Sequence, residues 1–316
     1  MSTTERLQPD RSGIDRAAEL LLCGELVAFP TETVYGLGGD ATSGQAVAGI
    51  YQAKGRPSFN PLIAHVADVQ QAMDLIALPE AGLKLAEAFW PGPLTLVAPK
   101  KPESEISGLV TAGLETLAVR VPSADLPRAL LRAVGRPVAA PSANLSGRIS
   151  PTRAEHVLDG LDGRIAAVLD GGSCDVGLES TILGFAGEDV NVLRPGGLAI
   201  EQVEAVIGRP VTFHDEGRIT APGQLASHYA PRAPLRLNAQ NARPGEVFLS
   251  FGEGSTGAMS LSPEGELAEA AANLFDYLHR LDDIAQGRTI AVGPIPERGL
   301  GLAINDRLRR AAAPRS

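Results

Sequence analysis

The apolar run Leu26-Val27-Ala28-Phe29 stops at Pro30 and passes into a loop of hydroxyls closed by Gly36, Gly38 and Gly39; the whole stretch, residues 29–41, reads FPTETVYGLGGDA. The run reads as a buried strand. Proline sets the angle at which the chain leaves it, and the glycines let the backbone come close to a ligand. Thr31 and Thr33 add small groups that both donate and accept. Loops of this kind at strand ends are where α/β proteins bind small polar molecules. A tight strand-to-helix connection is the plain alternative.

The pattern recurs. Residues 137–152, PVAAPSANLSGRISPT, run from an apolar strand through proline into Ser142, Asn144, Ser146 and Ser150. Ser150-Pro151 also has the form of an N-cap followed by proline at the first helical position. Strand AAVLD ends in GGSCDVGLESTILGF, which carries Glu179, Ser180 and Thr181, and VNVLRPG sets Arg194 before a Pro-Gly turn. Helices are predicted near residues 14–22, 44–54, 80–89 and 152–160 from the spacing of apolar residues and the stops that follow. Several strand ends of one α/β domain thus converge on a polar cavity.

The second helix runs into AKGRPSFNPLIAHV, which gathers Lys54, Arg56, Asn60 and His65 around a turn broken by Gly and Pro. A lysine and an arginine two apart, at a helix end facing a glycine-rich loop, suit an anion; a solvated loop is the alternative. Arg120 lies inside the strand ETLAVRVP, where an unpaired cation is costly to bury, so a carboxylate of protein or ligand should meet it. Trp90, the only tryptophan, reads as a packing anchor. Arginines, a lysine and hydroxyls together suit a polyphosphate with a small carboxylate. Neither G-x-x-x-x-G-K-[ST] nor G-x-G-x-x-G occurs in these loops.

A helix, IEQVEAVIG, closes this domain at Gly208. Residues 209–234 are rich in Pro, Gly and His without an apolar period and read as a linker, although its SHYAP core is unusual for a spacer. Residues 235–316 form a smaller α/β unit with a helix starting at Ser262-Pro263, strands PLRL, GEVFLSFG and TIAVGPI, and a closing helix LGLAINDRLRRAA. No nucleophile–base pair stands out there, so its role is read as support.

Composition narrows the partners. A net charge of −9 should repel nucleic acid, and the four lysines stand at 54, 84, 100 and 101. The opening residues MSTTERLQPD carry no apolar signal region, and no apolar run reaches the length of a membrane span. Cys23, in an apolar segment, reads as a core residue in a reducing compartment, and the cytoplasm is the expected location. The five histidines make no H-x-H or H-E-x-x-H pair, so no protein-held metal is expected; Mg²⁺ would arrive on phosphates.

In order, PTETVYGLG, KGRPSFNPLIAHV, WPGPLTLV, VRVP, APSANLSGRISPT, GLESTI and LRPG closely resemble the L-threonylcarbamoyladenylate synthase family with its YrdC-type catalytic domain, over roughly residues 13–200. HYAP and ERGLGLAINDRLRRAA resemble the long, two-domain form. The resemblance implies an α/β fold: a twisted, mixed, open sheet with helices (residues 1–208), a linker that acts as active-site lid (209–234), and a smaller Rossmann-like α/β domain (235–316). It implies condensation of L-threonine, bicarbonate or CO₂ and ATP to threonylcarbamoyl-AMP and pyrophosphate, the first step of tRNA t6A modification. ATP would bring Mg²⁺, and a threonylcarbamoyl-transferase complex would take the product. By motif position, Thr33, His65, Arg120 and Ser180 would hold threonine, with Arg120 on its carboxylate. Lys54 and Arg56 would act as catalytic cations on phosphates or carbamate. Arg56, Asn60, Thr116, Ser142, Asn144, Ser150, Arg194 and, from the lid, Tyr229 would bind ATP, with His228 beside them.

Two departures bear on the lid: VPSADLP lacks the histidine common after VRVP, and QLAS lacks the basic residue common before HYAP. Two rival readings share the fold. A double-stranded-RNA or ribosome-associated module without synthase activity is opposed by the acidic balance. A hydrogenase-maturation carbamoyl-transfer domain would carry acylphosphatase and zinc-finger segments, and neither is found here.

Overall fold

The computed structural model describes residues 3–213, 227–253 and 257–314. Strands β1 (Glu5–Leu7), β2 (Val27–Phe29), β3 (Gly36–Asp40), β4 (Ile63–His65), β5 (Leu94–Pro99), β6 (Thr116–Arg120), β7 (Val138–Ala139), β8 (Ala167–Leu169), β9 (Thr181–Ala186), β10 (Asp189–Arg194) and β11 (Thr212–Phe213) build one sheet. They lie in the order β1-β8-β2-β3-β7-β4-β6-β5-β9-β10-β11. The sheet is mixed: β2 and β8 are parallel, as are β4 and β6 and β5 and β9, while β3 runs antiparallel to both β2 and β7.

Helices α1 (Arg11–Leu22), α2 (Gly44–Lys54), α3 (Val69–Leu75), α4 (Glu80–Phe89), α5 (Asp125–Val134), α6 (Ala154–Leu161) and α7 (Ile200–Ile207) surround it. Because strand side chains alternate, each strand feeds two cores. Val27 and Phe29 join Leu21 of α1 and Leu131 of α5, whereas Ala28 joins Val47 and Ile50 of α2 and Val157 of α6. Gly38 has to be glycine for this packing, since a Cβ there would lie 2.8 Å from the Phe29 ring. Trp90 is buried as expected, its indole N–H donating to the Leu94 carbonyl at 2.7 Å. In the middle of the sheet Ile63, Val97, Ala118 and Ile182 make a small separate cluster. On the alternation of β4 and β6, His65 and Arg120 share the face of Ile63 and Ala118, and that face carries the pocket.

The second unit is a parallel sheet in the order β12 (Leu235–Arg236), β15 (Ile290–Val292), β13 (Val247–Ser250), β14 (Met259–Ser260), packed by α8 (Leu267–Ala285) and α9 (Leu300–Ala312). Its core does not stop at its own residues, because Val34, Ile149 and Leu178 of the first domain belong to the same cluster as Leu274 and Ile304. Contact is close enough that a Cβ on Gly177 would come within 2.5 Å of the α8 backbone at Ala272.

Four expectations change. Cys23 is exposed, because it follows the last turn of α1 after Leu20 and Leu21 have used the buried face; Cys174 is the buried cysteine. Ser150 is no helix cap: α6 starts at Ala154, and the Ser150 hydroxyl is drawn to a buried carboxylate instead. The helix expected at Ser262 begins at Leu267, since Gly265 takes a left-handed φ of 79° and Ser262 accepts from the Glu266 amide. The first sheet also runs past Gly208, through β11. Residues 214–226 of the linker lie outside the described residues. No helix among the described residues is long and apolar enough to cross a membrane.

Where α6 meets α8, His156 and His279 stack with ring centres 4.0 Å apart. His156 Nδ1 accepts from the Thr152 amide, its Nε2 lies 3.6 Å from Asp276, and His279 Nε2 donates to the Ser150 carbonyl. Burial, then His279, pushes His156 down to about 4, and burial lowers His279 as well. The unfolded chain therefore takes up protons first, and stability present above about pH 6.5 is lost as the pH falls toward 4. By pH 5 the His156 contribution has dropped by about 2 kcal/mol. Thermal melts of the full chain at pH 7 and pH 5 check this: the midpoint falls, and His156→Gln reduces the fall.

Candidate active site

The pocket opens at the strand ends singled out above. Thr33, Arg56, His65, Arg120, Ser142, Ser180, Arg194 and Tyr229 come together on its wall, with His228 and Glu179. Lys54, Asn60, Thr116, Asn144 and Ser150 are not on that wall.

One end is built around Arg120. The β4–β6 register sets His65 beside Arg120. The guanidinium donates to Thr33 Oγ1 at 2.7 Å and to the Gly92 carbonyl at 3.3 Å. Its outer nitrogen, Nη2, lies 2.7 Å from Glu32 but makes no aligned hydrogen bond. Burial works against the charge on Glu32, yet Arg120 overcomes it and holds the carboxyl below its ordinary range. The partner left open from sequence is thus a protein carboxylate, with the fork still incompletely used. Burial first, then Arg120, pushes His65 down to about 3, so its imidazole is neutral at physiological pH. Ser180 faces the same end, its hydroxyl bonded to Thr95 at 2.7 Å.

The other end is built around the stop of α2. Gly55 takes a left-handed φ of 59°, which ends the helix and turns Arg56 back beneath it. Arg56 donates to the carbonyls of Pro61 and Asn60. Lys54 is fully enclosed and bonds the carbonyls of Ser142 and Asn144 at 2.5 Å each, tying the second loop to the helix. Burial, then Arg56, pushes Lys54 well below the usual lysine range, and burial lowers Arg56 to about 10. Arg194 is held to the Ser180 carbonyl at 2.8 Å. The Asn60 amide is buried with neither end bonded, as is Asn144 Oδ1. Thr116 opens β6, four residues before Arg120, and is half-buried. Arg56 and Arg194, held against carbonyls on the pocket wall, make this an end that favours an anion.

The roof comes from the far side of the chain. Tyr229 is 1 % exposed at a left-handed φ of 63°, its ring 4.0 Å from that of His228. Burial pushes His228 to about 3.

Sequence reasoning missed Glu32 and Arg307, and named Glu179 at a strand end without giving it a role. Both acids lay inside quoted motifs, but a carboxylate within an anion site runs against the chemistry sought there. Arg307 had a usable signal: it falls on the helix face of Ala303, Ile304, Leu308 and Ala311, all buried.

Residues 19–196 match the Sua5/YciO/YrdC family model, described as telomere recombination, and residues 198–313 match the Sua5 model described as the C-terminal domain of threonylcarbamoyl-AMP synthase. The chain belongs to the Sua5/YrdC family. Both models match in tandem, so it is a two-domain Sua5-type protein. It is 44% identical to a threonylcarbamoyl-AMP synthase of Bacillus subtilis over 100% of this chain and 97% of that one. It is 40% identical to the synthase of Pyrococcus abyssi over 94% of this chain and 93% of the relative. Among solved structures, P. abyssi Sua5 complexed with L-threonine superposes with a TM-score of 0.88 at 38% identity, covering 98% of each chain.

Proposed function

We infer that this Sua5-type protein is a threonylcarbamoyl-AMP synthase, condensing L-threonine, bicarbonate or CO₂ and ATP into threonylcarbamoyl-AMP and pyrophosphate. The observation that carries this reading is that one pocket holds two cationic ends, Arg120 beside Thr33 and Arg56 with Arg194. Thr33, His65, Arg120 and Ser180 hold threonine, its carboxylate meeting the Arg120 guanidinium that Glu32 also pairs. Arg56, Ser142, Arg194 and Tyr229 face the nucleotide; Asn60, Asn144 and Ser150 stand behind that wall, and Thr116, at the far end of β6, is left without a part in it.

The chemistry needs no protein nucleophile. The neutral amine of threonine adds to CO₂, and the carbamate oxygen displaces pyrophosphate from the α-phosphorus. Carbamate and triphosphate are both anions, so holding them in contact is the main task, and fixed cations in a buried site supply it. A neutral His65 adds no further charge to the threonine end. Lys54 acts through the loop it holds, by fixing the Ser142 and Asn144 backbone. Mg²⁺ enters with ATP as part of the substrate. Tyr229 and His228 cover the pocket and keep water from a hydrolysable product. The product then passes to a tRNA-modifying threonylcarbamoyl transferase in the cytoplasm.

Pyrophosphate release from ATP tests this, with threonine and bicarbonate each present or omitted. Release should need both, and serine should serve much worse than threonine. Release without threonine would overturn the reading. A salt-dependent RNA mobility shift, with no pyrophosphate release, would favour the RNA-binding alternative.

A further inference from the structure

A buried ion pair joins the two domains at the pocket and has no part in the chemistry above. Arg307 of α9 donates through Nε to Glu179 at 2.8 Å, and the two side chains are 0% and 7% exposed. Burial favours the neutral form of Glu179, but Arg307 and Arg194 hold its carboxyl at about 2. Buried pairs of this kind add little net stability over a well-packed apolar pair, so holding two domains together does not by itself call for one. Where the donors of Arg307 go is more informative. The second oxygen of Glu179 accepts the Ser150 hydroxyl. Nη2 donates to the carbonyl of Pro195, the residue after Arg194. The guanidinium carbon stands 5.1 Å from the centre of the Tyr229 ring, within cation–π range. Nη1 is held by Asp306, its neighbour on α9.

We propose that Arg307 is the positioning residue through which the second domain assembles the nucleotide end of the pocket, by fixing Glu179 with Ser150, the Arg194 turn and the Tyr229 roof in one geometry. Three of its four partners lead to that end and none touches Arg120, Thr33 or His65; Ser180, next to Glu179 and bonded by Arg194, is the one threonine-end residue within reach, and Thr95 holds its hydroxyl independently. The assignment of this end to ATP rests on the synthase reading. The physical claim, that Arg307 sets the roof and the Glu179 carboxylate, does not.

The test uses the full chain and the variants Arg307→Met, Arg307→Lys and Glu179→Gln/Arg307→Met. In Arg307→Met the ATP KM should rise at least ~10-fold while the threonine KM moves less than about threefold. Exchange of the Ala230 amide, which bonds the Gly147 carbonyl, should speed up by a similar factor. Removing Arg307 also leaves Glu179 to desolvation, so its pKa climbs; the ATP KM of Arg307→Met should then worsen from pH 6 to pH 8.5, where the wild type and the double variant stay level. Equal rises in both KM values, or an unchanged Ala230 exchange rate, would overturn the proposal. If Arg307→Met melts early, Arg307→Lys decides: recovered melting without a recovered ATP KM supports positioning, and recovery of both in step overturns it. Should the wild type release no pyrophosphate, the synthase reading fails alone, and the amide exchange still judges the role of Arg307.

Discussion

Arg120→Ala should raise the threonine KM roughly 10²- to 10³-fold and leave the ATP KM within about threefold. The fork is prepared for a carboxylate: Thr33 and the Gly92 carbonyl fix two of its nitrogens, and Nη2 retains an unaligned donor edge. Hydrogen bonds to a charged partner contribute about 1.5–3 kcal/mol each, which sets the size of the loss. The same change strips Glu32 of its counter-charge inside the protein, at about 3–5 kcal/mol. Melting should therefore fall with binding, and the two effects separate in Arg120→Ala/Glu32→Gln, which regains stability but not threonine. Arg120→Lys keeps the charge without the planar fork and should recover only part of the affinity. Steady-state kinetics with each substrate varied in turn check the split; matched losses for both substrates would remove Arg120 from the threonine end.

Lys54→Met should lower kcat/KM for ATP by roughly 10²-fold or more, with thermal stability held within about 1 kcal/mol. The asymmetry follows from where the ammonium is kept. It is wholly buried, bonded to two carbonyls and set near a second cation, Arg56, which together with burial pushes it toward the neutral form. Methionine of similar length leaves the Ser142 and Asn144 carbonyls unpaired, a cost of about 1–3 kcal/mol each, but also removes the desolvated charge. The stability terms largely cancel; the catalytic ones do not. Melting curves beside kinetics decide it, and a large drop in melting temperature with nearly normal turnover would show that the loop Lys54 holds matters to folding and not to the reaction.

That Thr33, His65, Arg120 and Ser180 would meet could be read from the chain because they sit on strand ends and in the turns beside them, which converge in this fold. The α2 stop at Gly55 is such a case: one glycine explains both why Lys54 is helical and why Arg56 is not. Residues governed by distant partners escaped. Ser150 looked like a cap because Pro151 follows it, yet a carboxylate 29 positions away claims its hydroxyl. Cys23 sits among leucines in sequence and outside them in space, since helix periodicity runs out one residue earlier. The second domain was read as bare support because its contribution is one arginine on an apolar helix face, with its acid in the other domain.

That acid precedes its arginine by 128 positions. At about 5–20 residues per second, Glu179 leaves the ribosome on the order of ten seconds before Arg307 has been made. In that interval the large sheet can form, but an acid meant for the interior has Ser150, Arg194 and water to answer its charge and lacks its main counter-ion. The nascent first domain is thus expected to pass through a stage in which one wall of its ligand cavity is open, which makes Val34, Ile149 and Leu178 the exposed apolar side chains a chaperone would meet first.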